Sequence, residues 1–348
     1  MLINLLTPPL GDAPDVTTAA SFATPGGGRL FIGVIAEEER LKKWMQDPMY
    51  EVWRTGQAKA SMRMHLYCCD AFDQFKEICT SLALETLGIL QVASQESHTT
   101  IQLAGDQNPR ILTMRMRPLA ERLGVDIAVT ALPPQPHLAE PGMLFMDMDS
   151  TLITCECIDE IADFLGIREE VAIITQRAME GELDFTTSLT ERVKLLAGLD
   201  AGVLDRVYDE RIELNNGAEK LIETVRAHGW KVGLVSGGFS HFTDKLKTRL
   251  NLDYTQSNML EIRDGRLTGE VLGDVVDAIS KREALLAQAD AWDIPMEQTV
   301  AIGDGANDLP MLEAAGLGIA FHAKTKVWEL APCAISRGGL DRTLDLLT

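Results

Sequence analysis

Four short apolar runs, separated by amphipathic segments, occupy the carboxyl-terminal part of the chain and constrain its fold most strongly. The runs are Met143–Met146, Val232–Val235, Val300–Ile302 and Leu317–Phe321. Helical periodicity fills the segments between them, most clearly at Ala218–Ala227 and Lys281–Ala291. Apolar strands that alternate with amphipathic helices are typical of a parallel sheet covered by helices on both faces. The sequence therefore predicts an α/β fold built around a parallel sheet.

Two segments interrupt this alternation. Residues 152–214 follow the first strand and have mostly helical periodicity, which predicts a helical cap inserted after that strand. Residues 256–275 contain Asp264-Gly265 between two alternating segments, which is the pattern of a β-hairpin. Core and cap together are expected to span residues 139–348.

A proline-rich segment at residues 132–142 separates this region from the amino-terminal part. Its four prolines are incompatible with a helix interior or a central strand, so we predict a linker with a domain boundary near residue 138. Residues 29–138 are expected to form a small α+β domain, and residues 1–28 an extended lead-in. The expected strands are Arg29–Ile35, Met62–Tyr67, Thr100–Leu103 and Asp126–Thr130, and the expected helices are Glu37–Met45, Ala71–Leu82 and Ile111–Leu123.

The charge of the chain excludes several classes of partner. Its 348 residues carry a formal net charge of −20, and such a surface repels nucleic acid and anionic membranes. No apolar run reaches the ~18–20 residues that cross a bilayer, and the first residues lack the basic segment of a signal peptide. The six cysteines show no paired C-x-x-C spacing, which favours reduced thiols and a cytoplasmic location.

Carboxylates cluster at the predicted carboxyl-terminal edge of the sheet, where open parallel sheets bind ligands. Asp147 and Asp149 follow the first strand, and Asp304 and Asp308 follow the third. At an effective dielectric of about 20, two carboxylates roughly 4 Å apart repel by about 4 kcal/mol, so protons or a cation must accompany them. An oxygen-only set of ligands selects a hard cation, most naturally Mg²⁺.

Two further features at the same edge can hold a phosphoryl group. Ser236-Gly237-Gly238 follows the second strand and offers a hydroxyl and exposed main-chain N–H groups. Lys281, which opens a predicted helix, adds the positive charge that an acidic protein needs to bind phosphate. Each feature is weak alone, since Ser-Gly-Gly is an ordinary turn and most lysines are solvated. No P-loop occurs, and Asp308 stands where a dinucleotide-binding motif beginning at Gly303 needs glycine.

The order of these motifs resembles that of the haloacid-dehalogenase phosphatase superfamily, with D-M-D-S-T at 147, S-G-G at 236, Lys281 and G-D-G-A-N-D at 303. In the cap, the segments that begin at Glu156, Ala178 and Ser188 resemble the phosphoserine phosphatase family, and this similarity covers residues 143–338. The resemblance implies a Rossmann-like sheet. It also implies hydrolysis of O-phospho-L-serine to L-serine and phosphate through an aspartyl-phosphate, the final step of serine biosynthesis.

The same resemblance assigns roles to the residues of the motifs. Asp147 is expected to be the nucleophile, and Asp149 the acid that protonates the seryl oxygen and then the base that activates water. Mg²⁺ is expected to bind the carboxylates of Asp147 and Asp304 and the main-chain carbonyl of Asp149, with Asp308 supporting them. The residues expected to contact the substrate are Ser236, Gly237 and Lys281 at the phosphoryl group, Glu156 and Arg192 at the ammonium and carboxylate groups, Met179 and Phe185 as an apolar wall, and Asn307 from the core.

Other hypotheses remain open at this point. A related phosphotransferase that passes the phosphoryl group to another hydroxyl, such as that of homoserine, would use the same intermediate, and the substrate could be another small phosphomonoester. Residues 29–138 are similar to the ACT-like extension of some family members and could bind an amino acid, form a homodimer or do neither. One departure from the family pattern is Asn215-Asn216-Gly217, which replaces a common Pro-Gly after the cap and is expected to alter loop stiffness more than chemistry.

Overall fold

The structure is a computed structural model that describes residues 16–23, 29–35, 61–67, 74, 77, 78, 81, 88–95, 98–104, 108–134, 136–179 and 182–348. The chain divides into two compact units, one of Met1–Gln135 with Asp345–Thr348 and the other of Pro136–Leu344. The division falls within the proline-rich segment. Within the described ranges, no helix combines the length and the apolar character that a membrane span requires.

The strands of the amino-terminal unit are β1 (Val16–Ala23), β2 (Arg29–Ile35), β3 (Met62–Tyr67), β4 (Gly88–Gln95), β5 (His98–Ala104) and β6 (Asp126–Ala131), and helix α1 (Pro109–Leu123) precedes the last of them. They form two antiparallel sheets: β1 pairs with β2, and the other sheet has the order β4-β5-β3-β6. Met64 and Ile101 of this sheet share an apolar core with Leu112 of α1. Asn108 caps the start of α1 with its side chain, and Gly124 ends the helix in the left-handed conformation.

The strands of the amino-terminal unit differ from the predicted ones in two respects. The predicted lead-in contains β1, whose alanine, serine and threonine residues make no apolar run that would identify it. Strand β4 has no counterpart among the predicted strands. The predicted helix Glu37–Met45 lies outside the described residues, and the described residues of Ala71–Leu82 (74, 77, 78 and 81) are helical. The similarity to an ACT-like domain stays a prediction.

The strands of the carboxyl-terminal unit are β7 (Met143–Met146), β8 (Lys231–Phe239), β9 (Tyr254–Arg263), β10 (Arg266–Leu272), β11 (Thr299–Gly303), β12 (Leu317–Phe321) and β13 (Cys333–Ile335). The helices after residue 136 are α2 (Cys157–Leu165), α3 (Arg168–Met179), α4 (Phe185–Lys194), α5 (Val203–Arg211), α6 (Ala218–Ala227), α7 (Ser240–Leu250), α8 (Ala278–Ala291), α9 (Leu309–Ala314), α10 (Thr325–Leu330) and α11 (Thr343–Leu346). The strands form one sheet in the order β10-β9-β8-β7-β11-β12-β13, parallel throughout except for β10 against β9. The predicted α/β fold with its antiparallel hairpin is confirmed.

The central strands of the sheet are buried on both faces. Met143 and Phe145 of β7 share a core with Leu285 of α8 and Leu312 of α9. The alternating residue Leu144 points to the opposite face and is also buried, with 1% of its surface exposed. Burial on both faces explains why these strands read as continuous apolar runs in the sequence.

Helices α2–α5 form the cap, whose main chain is hydrogen-bonded to neighbouring segments at its base and at edge strand β10. At its base, a β-bridge pairs Ile153 with Leu214, so the two connections to the core lie side by side. Farther along, the main chain after α4 runs beside edge strand β10. Gly198 N donates to Leu267 O at 2.8 Å, and Leu267 N donates to Leu199 O at 2.9 Å. These bonds occupy main-chain groups of the edge strand that a sheet edge otherwise leaves unpaired.

A side chain at Gly318 in β12 would overlap the main-chain carbonyl oxygen of Leu312 in α9. We expect Gly318→Ala to lower the free energy of unfolding by about 1–3 kcal/mol, because overpacking a core forces main-chain shifts. Urea denaturation followed by circular dichroism measures the loss. Gly202→Ala is the control, since the nearest atom to its added Cβ is a flexible carboxylate oxygen of Asp200. Equal losses in the two variants would contradict the packing argument.

Candidate active site

Asp147 directly follows β7 at the carboxyl-terminal edge of the sheet. Its N–H donates to the carbonyl of Ile302 in β11 at 2.9 Å, which extends the pairing of the two strands by one residue. The residue is 5% exposed, and its Oδ1 accepts a hydrogen bond from Lys281 Nζ at 2.6 Å. The end of the strand therefore holds a buried carboxylate in a defined position beside a cation.

Lys281 is fully buried in the first turn of α8 and bridges two carboxylates. Besides Asp147, its Nζ donates to Asp308 Oδ1 at 2.7 Å. Burial lowers the pKa of Lys281, but the two carboxylates outweigh burial and raise the pKa above its ordinary value, so the ammonium group keeps its charge. The helix begins at Ala278 rather than at Lys281 as predicted, because Asp277 caps its start with a side-chain oxygen.

Three carboxylates at this edge form a group that can hold a metal ion. Asp147, Asp304 and Asp308 each offer one oxygen, and these oxygens lie within 4.8 Å of one another. Burial, reinforced by Asp308, raises the pKa of Asp304 to about 7, and burial also raises the pKa of Asp147. A cation would relieve both effects. The oxygen-only donor set fits a hard divalent ion.

The three carboxylates differ in how the protein engages them. Asp308 is fully buried and uses both oxygens, Oδ1 with Lys281 and Oδ2 with the N–H of Gly305 at 2.9 Å. Asp304 is partly exposed, and its Oδ1 accepts a hydrogen bond from Thr151 Oγ1 at 3.1 Å. Both oxygens of Asp308 are thus already hydrogen-bonded within the protein and one of them holds Lys281, whereas Asp304 is more accessible to a ligand.

Asp149 lies in a five-residue turn, Met148–Leu152, that redirects the chain from β7 into the cap. Its Oδ1 accepts a hydrogen bond from Cys157 N at 2.9 Å. Burial, reinforced by the negative charge of Glu156, raises the pKa of Asp149 to about 7. A carboxyl group with this pKa can hold or release a proton near neutral pH, as acid–base catalysis requires.

Ser236, Gly237 and Gly238 lie within β8, at a point where its pairing with β9 shifts register, rather than after the strand as predicted. Ser236 is fully buried, and its Oγ accepts a hydrogen bond from Gly238 N at 2.8 Å. A Cβ added at Gly238 would lie 2.6 Å from Asp149 Oδ2. Glycine at this position therefore lets the segment approach the carboxyl group closely.

Two cap residues contact this edge of the sheet. A Cβ added at Gly237 would lie 2.6 Å from Cζ of Phe185, so the phenyl ring at the start of α4 lies directly against Gly237. Glu156, at the start of α2, accepts a hydrogen bond from Ser150 Oγ at 2.8 Å through its Oε1. The structure thus brings both predicted substrate contacts next to the carboxylates.

Arg192 of α4 lies among acidic side chains of the cap and core. Burial lowers its pKa, and the carboxylates of Asp159, Glu156 and Asp149 counteract this effect. Its Nε donates to the carbonyl of Ser188, one turn earlier, at 3.3 Å. Of the other predicted contacts, Asn307 lies in the short turn Ala306–Asp308, and the side chain of Met179 lies outside the described part of the chain.

Two residues that support the site have no role in the sequence-based expectations. Thr151, which donates to Asp304, could have been suspected from its place in the D-M-D-S-T run. Asn258 in β9 is 1% exposed, donates to Gly237 O at 2.8 Å and accepts from Val276 N at 2.8 Å. Nothing in the sequence marks Asn258, because both of its partners are main-chain atoms of distant segments.

Comparisons with known proteins agree with this geometry. The family model of haloacid dehalogenase-like hydrolases matches residues 144–313. A phosphoserine phosphatase from Albidiferax ferrireducens is 48% identical over 225 residues, which cover 63% of this chain and 95% of that relative. A haloacid dehalogenase family hydrolase from Salmonella enterica serovar Typhi has a TM-score of 0.73 and 34% identity, covering 82% of this chain and 98% of that one. A phospho-aspartyl intermediate analogue of phosphoserine phosphatase has a TM-score of 0.57 and 42% identity, covering 60% of this chain and 100% of that one.

The match to the Albidiferax relative covers almost the whole length of that protein at 48% identity. This chain belongs to the phosphoserine phosphatase family of haloacid dehalogenase-like hydrolases.

Proposed function

We propose that this protein hydrolyses O-phospho-L-serine to L-serine and phosphate through an aspartyl-phosphate at Asp147. The observation that carries the proposal is the different charge beside two neighbouring carboxyl groups. Burial raises the pKa of both Asp147 and Asp149, but Asp147 is bonded to the ammonium group of Lys281, which favours its ionised form, whereas Asp149 faces the negative charge of Glu156, which favours its protonated form. The first is suited to nucleophilic attack and the second to holding a proton for the leaving group. The 48% identity to a phosphoserine phosphatase supports the choice of substrate.

The reaction has two proposed steps. In the first, an oxygen of the Asp147 carboxylate bonds to phosphorus, the bond from phosphorus to the seryl oxygen breaks, and the proton of Asp149 passes to that oxygen. In the second, Asp149 accepts a proton from water as the water oxygen bonds to phosphorus. The bond from phosphorus to Asp147 then breaks, which releases phosphate and restores both carboxyl groups.

The phosphoryl oxygens are proposed to bind to Ser236, Gly237 and Lys281. Lys281 is the buried cation nearest to the nucleophile, at 2.6 Å from Asp147 Oδ1. The hydroxyl of Ser236 and the main-chain N–H groups of the irregular segment of β8 add donors that carry no net charge. Together they oppose the negative charge that phosphoryl transfer develops.

The metal is proposed to be Mg²⁺, held by the carboxylates of Asp147 and Asp304 and the main-chain carbonyl of Asp149. Asp308 would support this site through Lys281 and the N–H of Gly305. When bound, Mg²⁺ would supply positive charge to the phosphoryl oxygens and to the attacking carboxylate. Burial and, after it, the negative charge of Asp308 raise the pKa of Asp304, and a cation bound here would offset both effects.

Substrate selectivity is proposed to come from the cap. Glu156 would bind the ammonium group of phosphoserine, and Arg192 its carboxylate by two parallel hydrogen bonds. Phe185 and Met179 would form an apolar wall over the bound substrate, with Asn307 opposite them on the core. The contact of Phe185 with Gly237 supports this placement, since it puts the ring beside the proposed phosphoryl site.

Residues 29–138 are proposed to be a regulatory or dimerisation domain, with residues 1–28 as a lead-in and residues 139–348 as the catalytic region. The antiparallel sheet β4-β5-β3-β6, which packs on α1 within residues 29–138, supports a separately folded domain. Calorimetric titration with L-serine and light scattering on the full chain would distinguish the two roles. The proposed compartment is the cytoplasm, which the free thiols of Cys155, Cys157 and Cys333 support.

We expect phosphate release from O-phospho-L-serine with Mg²⁺ to fall at least about 10³-fold in Asp147→Asn, because an amide cannot form the covalent intermediate. A phosphate-release assay measures this loss, with circular dichroism to verify folding. Asp209→Asn, at an exposed position of α5, is the matched control and should retain wild-type activity. Substantial turnover by Asp147→Asn would rule out the covalent route.

Arg192→Ala should raise the KM for O-phospho-L-serine by about 10- to 100-fold, as expected for the loss of a charge-assisted bidentate contact. The kcat/KM for p-nitrophenyl phosphate, which lacks the amino-acid carboxylate, should change by less than about threefold. Steady-state kinetics on both substrates give the comparison, and Lys194→Ala on the exposed face of α4 is the control. An unchanged KM for phosphoserine would remove Arg192 from substrate recognition.

The raised pKa of Asp304 makes the stability of the metal-free protein depend on pH. The folded-state pKa of about 7 exceeds the ordinary 3.8, so the folded state binds more protons and loses stability as pH rises from about 4 through 7. Asp304→Asn removes this effect and should raise Tm by several degrees at pH 8 in EDTA. Differential scanning calorimetry should also show that Mg²⁺ stabilises the wild type but not the variant. Equal stabilisation of both proteins would argue against Asp304 as a ligand.

A further inference from the structure

Asn215 lies where the cap returns to the core, and it contacts the turn through which the chain enters the cap. Its Nδ2 donates to the main-chain oxygens of Thr151 at 2.8 Å, Ile153 at 3.0 Å and Ser150 at 3.4 Å. Its own N–H donates to Leu152 O at 2.9 Å. An amide nitrogen has two hydrogens, so the two shorter bonds are direct and the third is shared. One side chain therefore binds three carbonyl groups, two within the turn Met148–Leu152 and one at Ile153, the residue after it.

The same turn directs two hydroxyl groups into the site. Thr151 Oγ1 donates to Asp304 Oδ1 at 3.1 Å, and Ser150 Oγ donates to Glu156 Oε1 at 2.8 Å. Their directions depend on the main chain at Ser150, whose φ of 56° is in the left-handed region. A non-glycine residue in this region costs about 1–2 kcal/mol and persists only where its surroundings hold it. The amide of Asn215 is among the groups that hold it.

We propose that Asn215 is a positioning residue for both the metal site and the substrate site. By fixing the carbonyl groups of Ser150 and Thr151, it aims the two hydroxyls at Asp304 and Glu156. The inference rests on the proposed function, since it takes Asp304 as a metal ligand and Glu156 as the partner of the substrate ammonium group. The Asn-Asn-Gly sequence at the end of the cap would then affect chemistry as well as loop stiffness.

The geometry requires a hydrogen-bond donor at position 215. Leucine has a similar size but no donor, so Asn215→Leu would leave the carbonyl groups unpaired. Asn215→Asp would place a carboxylate against their oxygens. This change would disturb the turn more than Asn215→Leu, because a carboxylate has no donor and repels the carbonyl oxygens. The neighbouring Asn216 supplies matched controls, since it is exposed and its carbonyl accepts a hydrogen bond from Leu340 N at 2.8 Å whatever its side chain.

The first readout is Mg²⁺ binding to the metal-free protein, measured by isothermal titration calorimetry without any turnover. Asn215→Leu should raise the Kd for Mg²⁺ by about tenfold, and Asn215→Asp should raise it further, as expected when hydrogen bonds that orient a ligand are lost. Asn216→Leu and Asn216→Asp should bind Mg²⁺ as the wild type does.

The second readout separates substrate recognition from chemistry. At saturating Mg²⁺, Asn215→Leu should raise the KM for O-phospho-L-serine by about five- to tenfold. The KM for p-nitrophenyl phosphate, which has no ammonium group, should stay within about twofold of the wild type.

A lower Tm in Asn215→Leu with unchanged Kd for Mg²⁺ and unchanged KM would overturn the proposal and leave Asn215 a purely structural residue. If Asn215→Asp does not fold, the Kd for Mg²⁺ and the KM of Asn215→Leu alone decide whether Asn215 is a positioning residue. If the wild type releases no phosphate from O-phospho-L-serine, the proposed function fails, and the calorimetric measurement still decides whether Asn215 positions the metal ligands.

Discussion

The buried ammonium group of Lys281 is the interaction on which the rest of the site depends. It joins the end of β7, through Asp147, to the turn before α9, through Asp308, and it belongs itself to α8. Two carboxylates roughly 4 Å apart repel by about 4 kcal/mol at an effective dielectric of 20, so a group of them needs a fixed cation before any ligand arrives. A protein with a net charge of −20 thereby has a buried positive charge at the place where the phosphoryl group is proposed to bind.

The sequence was sufficient to predict the fold of the carboxyl-terminal unit, because a parallel sheet imposes strong rules on its pattern. Strands buried on both faces appear as apolar runs, and the ends of parallel strands meet at one edge. For that reason the carboxylates after β7 and β11 could be placed together from the sequence alone, and the oxygens of Asp147, Asp304 and Asp308 do lie within 4.8 Å of one another. The same rule does not cover Lys281, which lies in the first turn of α8 after the antiparallel strand β10, and its role was implied by the resemblance to the family.

The features that the sequence did not reveal are those made by main-chain partners or by weak local patterns. Strand β1 consists largely of small polar residues and alanine, so its composition does not predict a strand. It is recognised as a strand only from its antiparallel pairing with β2. Asn258 and Asn215 bind carbonyl groups of segments far away in the chain, and any sequence at those segments offers the same carbonyls. Helix α8 begins three residues before the predicted start at Lys281, because the side chain of Asp277 caps it at that point.

The two attachments of the cap have a mechanical consequence. The bridge between Ile153 and Leu214 fixes one point, and the main-chain bonds of Gly198 and Leu199 with β10 fix a second. A side-chain contact adds a third point, because Asp205 in α5 forms an ion pair with Lys245 in α7 at 2.6 Å. Any tilt of the cap as one body must stretch at least one of these contacts. The solvent-exposed ion pair is the contact that costs least to break, because water and salt screen its charges.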